Sequence, residues 1–264
     1  MNTFDTAELA TALLPHRIPD DAVVMVHSSL IGLGPMRGVP LRDLPSVLLS
    51  SLREILGPDV TLVVPTFTFT FCDGEPFDRQ QTPSSGMGVL AEELRRHPSA
   101  WRSPHPIQSI AALGPMAAKI CDRRTESAYG PGSSFESLLY LDAYLLLLGC
   151  SFEALSLVHL LEERQGVPYR YWMTFEGLVR DGSTEEIRTA RHYARKRGHK
   201  VHVSPIAHRL HDRGQIATTP LATGQVQSCR ALHFAREGLD LLRENSTALL
   251  RHIAPPRQSA PHGP

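Results

Sequence analysis

The sequence predicts an α/β fold, and three observations carry that expectation. Short apolar runs at 23–26, 60–64 and 144–148 read as strands buried on both faces. Stretches with apolar residues at helical spacing alternate with them. Small and turn-forming residues close two of the runs, His27-Ser28-Ser29 after the first and Gly149-Cys150-Ser151 after the last.

Taken in order, Thr6 to Leu14 is a first helix capped by Asp5 or Thr6, and strand 23–26 follows. Leu41 to Leu56 carries Leu44, Val47, Leu48, Leu52 and Ile55 on one face and stops at Gly57-Pro58. After strand 60–64, Phe69 to Ser85 reads as a long loop, a feature that in compact domains is often functional. Met87 to Arg96 is a helix whose start, Ser84-Ser85-Gly86, would offer N–H groups to an anion. Strand 109–113, a helix from Met116 to Cys121 and strand 144–148 come next. A helix from near Glu153 to Glu163 or Arg164 is stopped by Gly166 and Pro168. Glu186 to His211 alternates weakly, and Ala231 to Leu242 is the last helix. These elements make one domain over 1–253, and 254–264, rich in proline and without periodicity, reads as a disordered tail.

Composition excludes several classes. The chain has 264 residues, 42% of them hydrophobic, enough to bury a large core. Its longest apolar stretch is far below the ~20 residues of a membrane helix, and the start lacks the basic and apolar segments of a secretory signal. A cytoplasmic protein without a membrane partner is expected. Cys72, Cys121, Cys150 and Cys229 are scattered, with no Cys-x-x-Cys pair for zinc or redox chemistry, so reduced thiols and no metal are expected. Cys150, after an apolar run, reads as a small buried hydrophobe rather than a nucleophile.

The most informative chemistry lies in Val158-His159-Leu160-Leu161-Glu162. On a helix, His159 and Glu162 share a face, and a carboxylate on one imidazole nitrogen leaves the other free to take a proton. Alone, such a pair more often marks a solvated helix surface. Its company argues otherwise. Ser28 and Ser29 end a buried strand before Gly32 and Gly34, a turn suited to close approach of an anion. Pro65-Thr66-Phe67-Thr68 ends the second strand, and Arg102-Ser103-Pro104-His105-Pro106-Ile107-Gln108-Ser109 crowds a cation, hydroxyls and an imidazole into one loop. His105 between two prolines reads either as a turn cap or as a site residue.

Together with Thr82-Pro83, Met87-Gly88-Val89-Leu90 and Gly130-Pro131-Gly132-Ser133, these ordered segments resemble the aminoglycoside 3-N-acetyltransferase family from about residue 21 to about residue 177. Val167 to Phe175 is similar to a branch associated with surface-sugar or secondary-metabolite pathways. The resemblance implies a compact domain with a central mixed β-sheet flanked by helices. It implies acetyl-CoA or another acyl-CoA as co-substrate and a small-molecule amine as acceptor. His159 would be the general base and Glu162 its orienting partner. Ser28, Ser29, Thr66, Phe67, Arg102, Ser103, His105 and Ser109 would line the coenzyme channel, with Thr66 and neighbouring N–H groups as oxyanion donors. A homodimer and an acyl carrier protein are admitted as partners. Two rival readings stay open: a thioester hydrolase or carrier-dependent transferase with the same dyad, and a non-catalytic coenzyme-binding homologue.

Charge bears on the acceptor. Basic and acidic residues balance at 27 each, and Arg188, Arg191, Arg195, Lys196, Arg197, Lys200 and Arg209 gather in the last third. The cluster reads either as a solvated hairpin or as a surface for an anionic acceptor or an acidic carrier. With Tyr193 as its single aromatic residue, it gives no case for nucleic acid.

Overall fold

Val23, Val24, Met25 and Val26 have no polar face to turn toward water, and the chain buries all four at the centre of a seven-stranded sheet. The computed structural model describes residues 2–251, so the tail expected at 254–264 lies outside the described residues. In chain order the strands are β1 (Val23–Ser28), β2 (Thr61–Pro65), β3 (Phe77–Asp78), β4 (Trp101–Arg102), β5 (Ile110–Leu113) and β6 (Tyr144–Leu148). They continue as β7 (Arg170–Asp181), β8 (Thr184–Arg195), β9 (Lys200–Val201), β10 (Ala217–Leu221), β11 (Gly224–Arg230) and β12 (Leu250–Arg251). The helices are α1 (Thr6–Leu13), α2 (Leu30–Leu33), α3 (Leu44–Leu56), α4 (Val89–Arg96) and α5 (Ala117–Cys121). After them come α6 (Ser134–Tyr140), α7 (Val158–Gln165), α8 (Ser204–Asp212) and α9 (Ala231–Glu244).

The main sheet has the order β10-β11-β6-β1-β2-β5-β4. β1 runs parallel to β2 and β6, and the remaining neighbours are antiparallel, so the sheet is mixed, as the family resemblance implied. Successive side chains point to opposite faces and build two cores. Met25, Val63, Leu145 and Leu147 pack with Leu161 of α7 and Phe234 of α9 on one side. Val24, Val26, Leu146 and Leu148 pack with Leu9 of α1, Leu48 of α3 and Leu90 of α4 on the other. Among the described residues, no helix is long and apolar enough to cross a membrane.

Local signals set the ends of these elements. Asp5 rather than Thr6 caps α1, accepting from Glu8 N while the Glu8 carboxylate returns to Asp5 N. The helix expected from Glu153 starts later. Phe152–Ala154 forms a 3-10 turn and Leu155 is extended, so α7 begins at Val158. The loop expected over 69–85 contains a 3-10 turn at Thr70–Asp73 and the short β3. Phe71 and Phe77 in this segment form a third small core with Ile107, Val179 and Ala190. That core lies beneath the hairpin of β7 and β8, whose first strand the sequence left unread, paired over twelve positions and turned through Gly182-Ser183.

Three glycines hold the strand ends of the main sheet together. A Cβ on Gly32 would lie 2.1 Å from Gly149 O, and one on Gly224 would lie 2.3 Å from Gly32 O. Gly149, at φ 65°, leaves 2.3 Å to Leu33 N. The backbones of the β1–α2 turn, the end of β6 and the β10–β11 turn therefore touch directly, and this contact fixes the turn that carries Ser28 and Ser29. Gly149→Ala combines left-handed strain with a backbone clash and is expected to destabilise the fold by about 3 kcal/mol or more. Gly182→Ala, also at positive φ but with nothing near its added methyl, should cost about 1 kcal/mol. Urea unfolding of the two variants checks the contrast.

Candidate active site

His159 is the second residue of α7, and its 3.2 Å backbone hydrogen bond to Ser156 O anchors the helix start. Its Nδ1 lies 2.8 Å from Glu162 Oε2, one turn along the same face. The Glu162 side chain is completely buried, whereas that of His159 keeps 29% exposure. Arg170, the first residue of β7, places Nη2 2.7 Å from the same carboxylate oxygen and 2.9 Å from His159 Nδ1. Nδ1 cannot both donate to the carboxylate and accept from the guanidinium. Burial would raise the Glu162 carboxyl, but the His159 hydrogen bond and the His159 and Arg170 charges outweigh it and bring it below the usual value. An ionised carboxylate is the stronger acceptor, so both His159 Nδ1–H and Arg170 donate to it. His159 Nε2 is then the nitrogen left to take a proton. The Tyr129 ring meets the imidazole edge-on, with centroids 5.6 Å apart, and fixes its plane.

His159 and Arg170 open into a cavity of about 820 Å³. Ser28, Ser29 and Phe67 line it, together with Gly86, Met87, Gly88 and Val89. Ile31 and Phe69 leave apolar surface at its rim, 97% and 43% exposed. Ser84 and Ser85, where free N–H groups were expected, are already engaged. Ser84 N and Oγ donate to Glu92, and Ser85 N donates to Phe67 O. Of the expected stretch Gly86 lines the cavity, and Met87, Gly88 and Val89, where α4 begins, continue the lining.

Five of the residues expected along the channel stand outside its lining. Thr66 Oγ1 lies 2.9 Å from Ser109 Oγ, which donates to Thr66 O, while Thr66 N donates to Ser109 O. Arg102 donates to Ser109 Oγ and to the carbonyls of Thr66 and Thr82, over the Phe77 ring. Ser103 Oγ accepts from Ile110 N. The hydroxyl of Thr66 is spent within this network, so it is turned to Ser109 rather than into the cavity. His105 Nδ1 accepts from Ile107 N and Gln108 N, which leaves Nε2 to donate to Glu126 O. Burial lowers the His105 ring to about 4, and with both nitrogens engaged it is a turn cap. What the family segment 102–109 places in the cavity wall is Gln108, a residue the sequence reading passed over.

The structure adds lining residues that chain order concealed. His192, on β8, has Nδ1 3.1 Å from Gln108 Oε1, and burial first, then the His159 and Arg170 charges, lower it to about 4. Arg195 is exposed and lines the cavity, and among the described residues no carboxylate pairs with it. The rest of the basic cluster disperses. Arg188 donates to Pro104 O, Arg191 stacks on Trp172, Lys196 donates to Pro168 O and Arg209 pairs with Glu244. Cys150 is half-buried, and burial raises its thiol to about 11, which suits packing rather than attack.

Because the Glu162 carboxyl is depressed in the folded chain, its contribution to stability is whole above the unfolded glutamate value of about 4.3. It is lost as pH falls through the lower folded value. Acidification from about pH 5 to about pH 3 should therefore lower the unfolding midpoint more in the parent chain than in Glu162→Gln. Thermal melts of both proteins across that range measure the difference.

The sequence model for aminoglycoside 3-N-acetyltransferase matches residues 25–243. Aminoglycoside N(3)-acetyltransferase IV of Salmonella sp is 36% identical over 165 residues, covering 62% of this chain and 60% of the relative. Aminoglycoside N(3)-acetyltransferase VII of Streptomyces paromomycinus is 30% identical over 190 residues, covering 64% and 63%. The chain thus spans about three fifths of the length of the curated relatives it matches. Among solved structures, a mutant of aminoglycoside acetyltransferase AAC(3)-IVa in complex with apramycin superposes with a TM-score of 0.76 at 27% identity, covering 94% of this chain and 96% of that one. The chain belongs to the aminoglycoside 3-N-acetyltransferase family.

Proposed function

We propose that the chain is an acyl-CoA-dependent N-acyltransferase that transfers an acetyl group to a primary amine of an amino sugar or related small molecule. The observation that carries this reading is the His159–Glu162 pair, with a buried carboxylate on Nδ1 and Nε2 available to a cavity of about 820 Å³. A neutral amine attacks the thioester carbonyl and forms the C–N bond. His159 Nε2 takes the amine proton, and Glu162 stabilises the imidazolium. Collapse of the tetrahedral intermediate breaks the C–S bond, and the leaving thiolate recovers that proton. Ser28, Ser29 and the backbone of Gly86–Gly88 suit the polar part of the acyl donor, and Leu30, Ile31 and Val89 suit its apolar arm. Thr66, Arg102, Ser103, His105 and Ser109 support this wall from behind through their hydrogen bonds. His159→Ala should keep coenzyme A binding by calorimetry and lose at least ~100-fold in turnover. Absence of binding at millimolar coenzyme A would overturn the reading. Thiol release at the full rate without any amine would instead make water the acceptor.

The relatives' names give an aminoglycoside amine as the starting class of acceptor, and the charge of the cavity narrows it. Among the described residues lining the cavity, Glu153 is the only carboxylate, and its two oxygens accept from Val203 N at 3.0 Å and Ser204 N at 3.1 Å. Arg195 stands in the same lining, with no carboxylate partner among the described residues. A polycation would meet little attraction here, whereas an amine that also carries a carboxylate or phosphate would meet Arg195. Such acceptors should be turned over in preference to unmodified aminoglycosides. Arg195→Ala and raised salt should both increase the Michaelis constant for the amine. Efficient acetylation of a kanamycin-like substrate by the Arg195→Ala variant, with no change from the parent, would return the acceptor to the polycationic class.

A further inference from the structure

His27 and Ser156 meet in the wall of the cavity, and the reaction outlined above gives neither a task. His27 ends the buried run of β1 and is 5% exposed. Its Nε2 lies 3.0 Å from Ser156 Oγ and 3.3 Å from Ser156 N, while its Nδ1 is buried without a partner. Both residues line the cavity that His159 faces. Ser156 stands one turn before the base, joined to it by the His159 N to Ser156 O hydrogen bond.

The position of the imidazole hydrogen follows from the count of unpaired groups. With hydrogen on Nε2, Ser156 N–H would lose its acceptor and Nδ1 would remain bare, leaving two buried polar atoms unsatisfied. With hydrogen on Nδ1, one is unsatisfied, and Nε2 accepts from Ser156. Nε2 has one in-plane lone pair but two donors beside it, the backbone N–H and the hydroxyl. The backbone donor is fixed. The hydroxyl is the surplus one, free to turn into the cavity without stranding any group. Nucleophilic attack by Ser156 would require His27 to accept its proton. Burial holds that ring near 4, and no carboxylate touches it, so His27 is a poor base for the purpose.

We propose that the Ser156 hydroxyl is a catalytic hydrogen-bond donor to the thioester carbonyl oxygen, the role that the buried Thr66 cannot fill. As the amine nitrogen bonds to the carbonyl carbon, the π pair moves onto the oxygen and the Ser156 O–H turns from His27 to this oxyanion. When the C=O bond reforms and the C–S bond breaks, the hydroxyl returns. No proton is exchanged with Ser156 and no acyl-serine forms. A donor placed one turn before the base lets a single rigid segment serve both the oxygen and the amine proton.

This inference rests on the acyl-transfer reading, and coenzyme A binding separates the two. Ser156→Ala is expected to lower kcat about 100- to 1000-fold while the Kd for coenzyme A and the KM for the thioester stay within about threefold. Ser156→Thr should restore most of kcat. Ser156→Cys keeps the volume but offers only a weak S–H donor, so it should remain slow and guards against a folding defect in the alanine variant. Intact-protein mass spectrometry during turnover should find no acetyl adduct. Coenzyme A binding with parent-like kcat in Ser156→Ala would overturn the proposal and leave the acyl-transfer reading standing. So would an acetyl adduct on Ser156, which would make it the nucleophile, or a loss confined to coenzyme A binding, which would make it part of the wall.

Discussion

A carboxylate sealed from water at Glu162 is the constraint around which the site is assembled. An uncompensated buried charge of this kind costs about 3–5 kcal/mol when one partner is removed, so α7 cannot stand alone with Glu162 in its buried face. Arg170 supplies the compensation from the first residue of β7. The same guanidinium donates to Tyr193 O on β8, and Tyr193 Oη donates to Val167 O in the link between α7 and β7. One ion pair therefore fastens His159, the hairpin and the connection between them. The hairpin in turn brings His192 and Arg195 to the cavity, residues more than thirty positions away from His159 in the chain.

A second scaffold, built around a buried guanidinium, supports another part of the wall. Arg102 is buried, and its donors go to Ser109 Oγ and to main-chain carbonyls of Thr66 and Thr82 rather than to a ligand. These bonds tie β4 to the segment after β2 and to the loop that precedes α4. The guanidinium also lies over Phe77, whose ring belongs to the core beneath the hairpin. A fork of rigid, planar donors holds several backbone carbonyls in fixed directions, whereas the three donors of a lysine ammonium turn about one atom. Residue types that suggest anion binding in a sequence, arginine and closely spaced hydroxyls, are here the means by which irregular backbone is kept satisfied away from water.

This explains what the sequence made legible and what it concealed. Runs such as Tyr144–Leu148 announce themselves because strands buried on both faces admit no polar residue. The pair His159 and Glu162 is legible because helical spacing is local. Their third partner, Arg170, belongs to another element, and no local period links it to them. Strand β7 escaped because Tyr171, Trp172, Met173 and Thr174 are all exposed, so it lacks the inside–outside alternation by which half-buried strands are read. The roles within 102–109 depend on which way each side chain turns at the end of a strand. That direction is set by contacts with Thr66, Glu126 and Phe77, distant in the chain.

Four histidines lie in or beside the cavity wall, and burial divides their work. His27, His105 and His192 are each pushed down to about 4 by desolvation, so they stay neutral near pH 7 and act as hydrogen-bonding spacers. Among these four, His159 alone has a carboxylate on its ring, and its side chain stays partly open to the cavity. A protonated imidazole is tolerated only where a negative charge is already in place, and the cost of burying that charge at Glu162 has been met by Arg170 before any substrate arrives. The neutral rings around it add no positive charge to oppose protonation of His159. The environment thus sets one imidazole apart, the one to which the proposed reaction gives the proton transfer, while the chemically identical side chains beside it shape the wall.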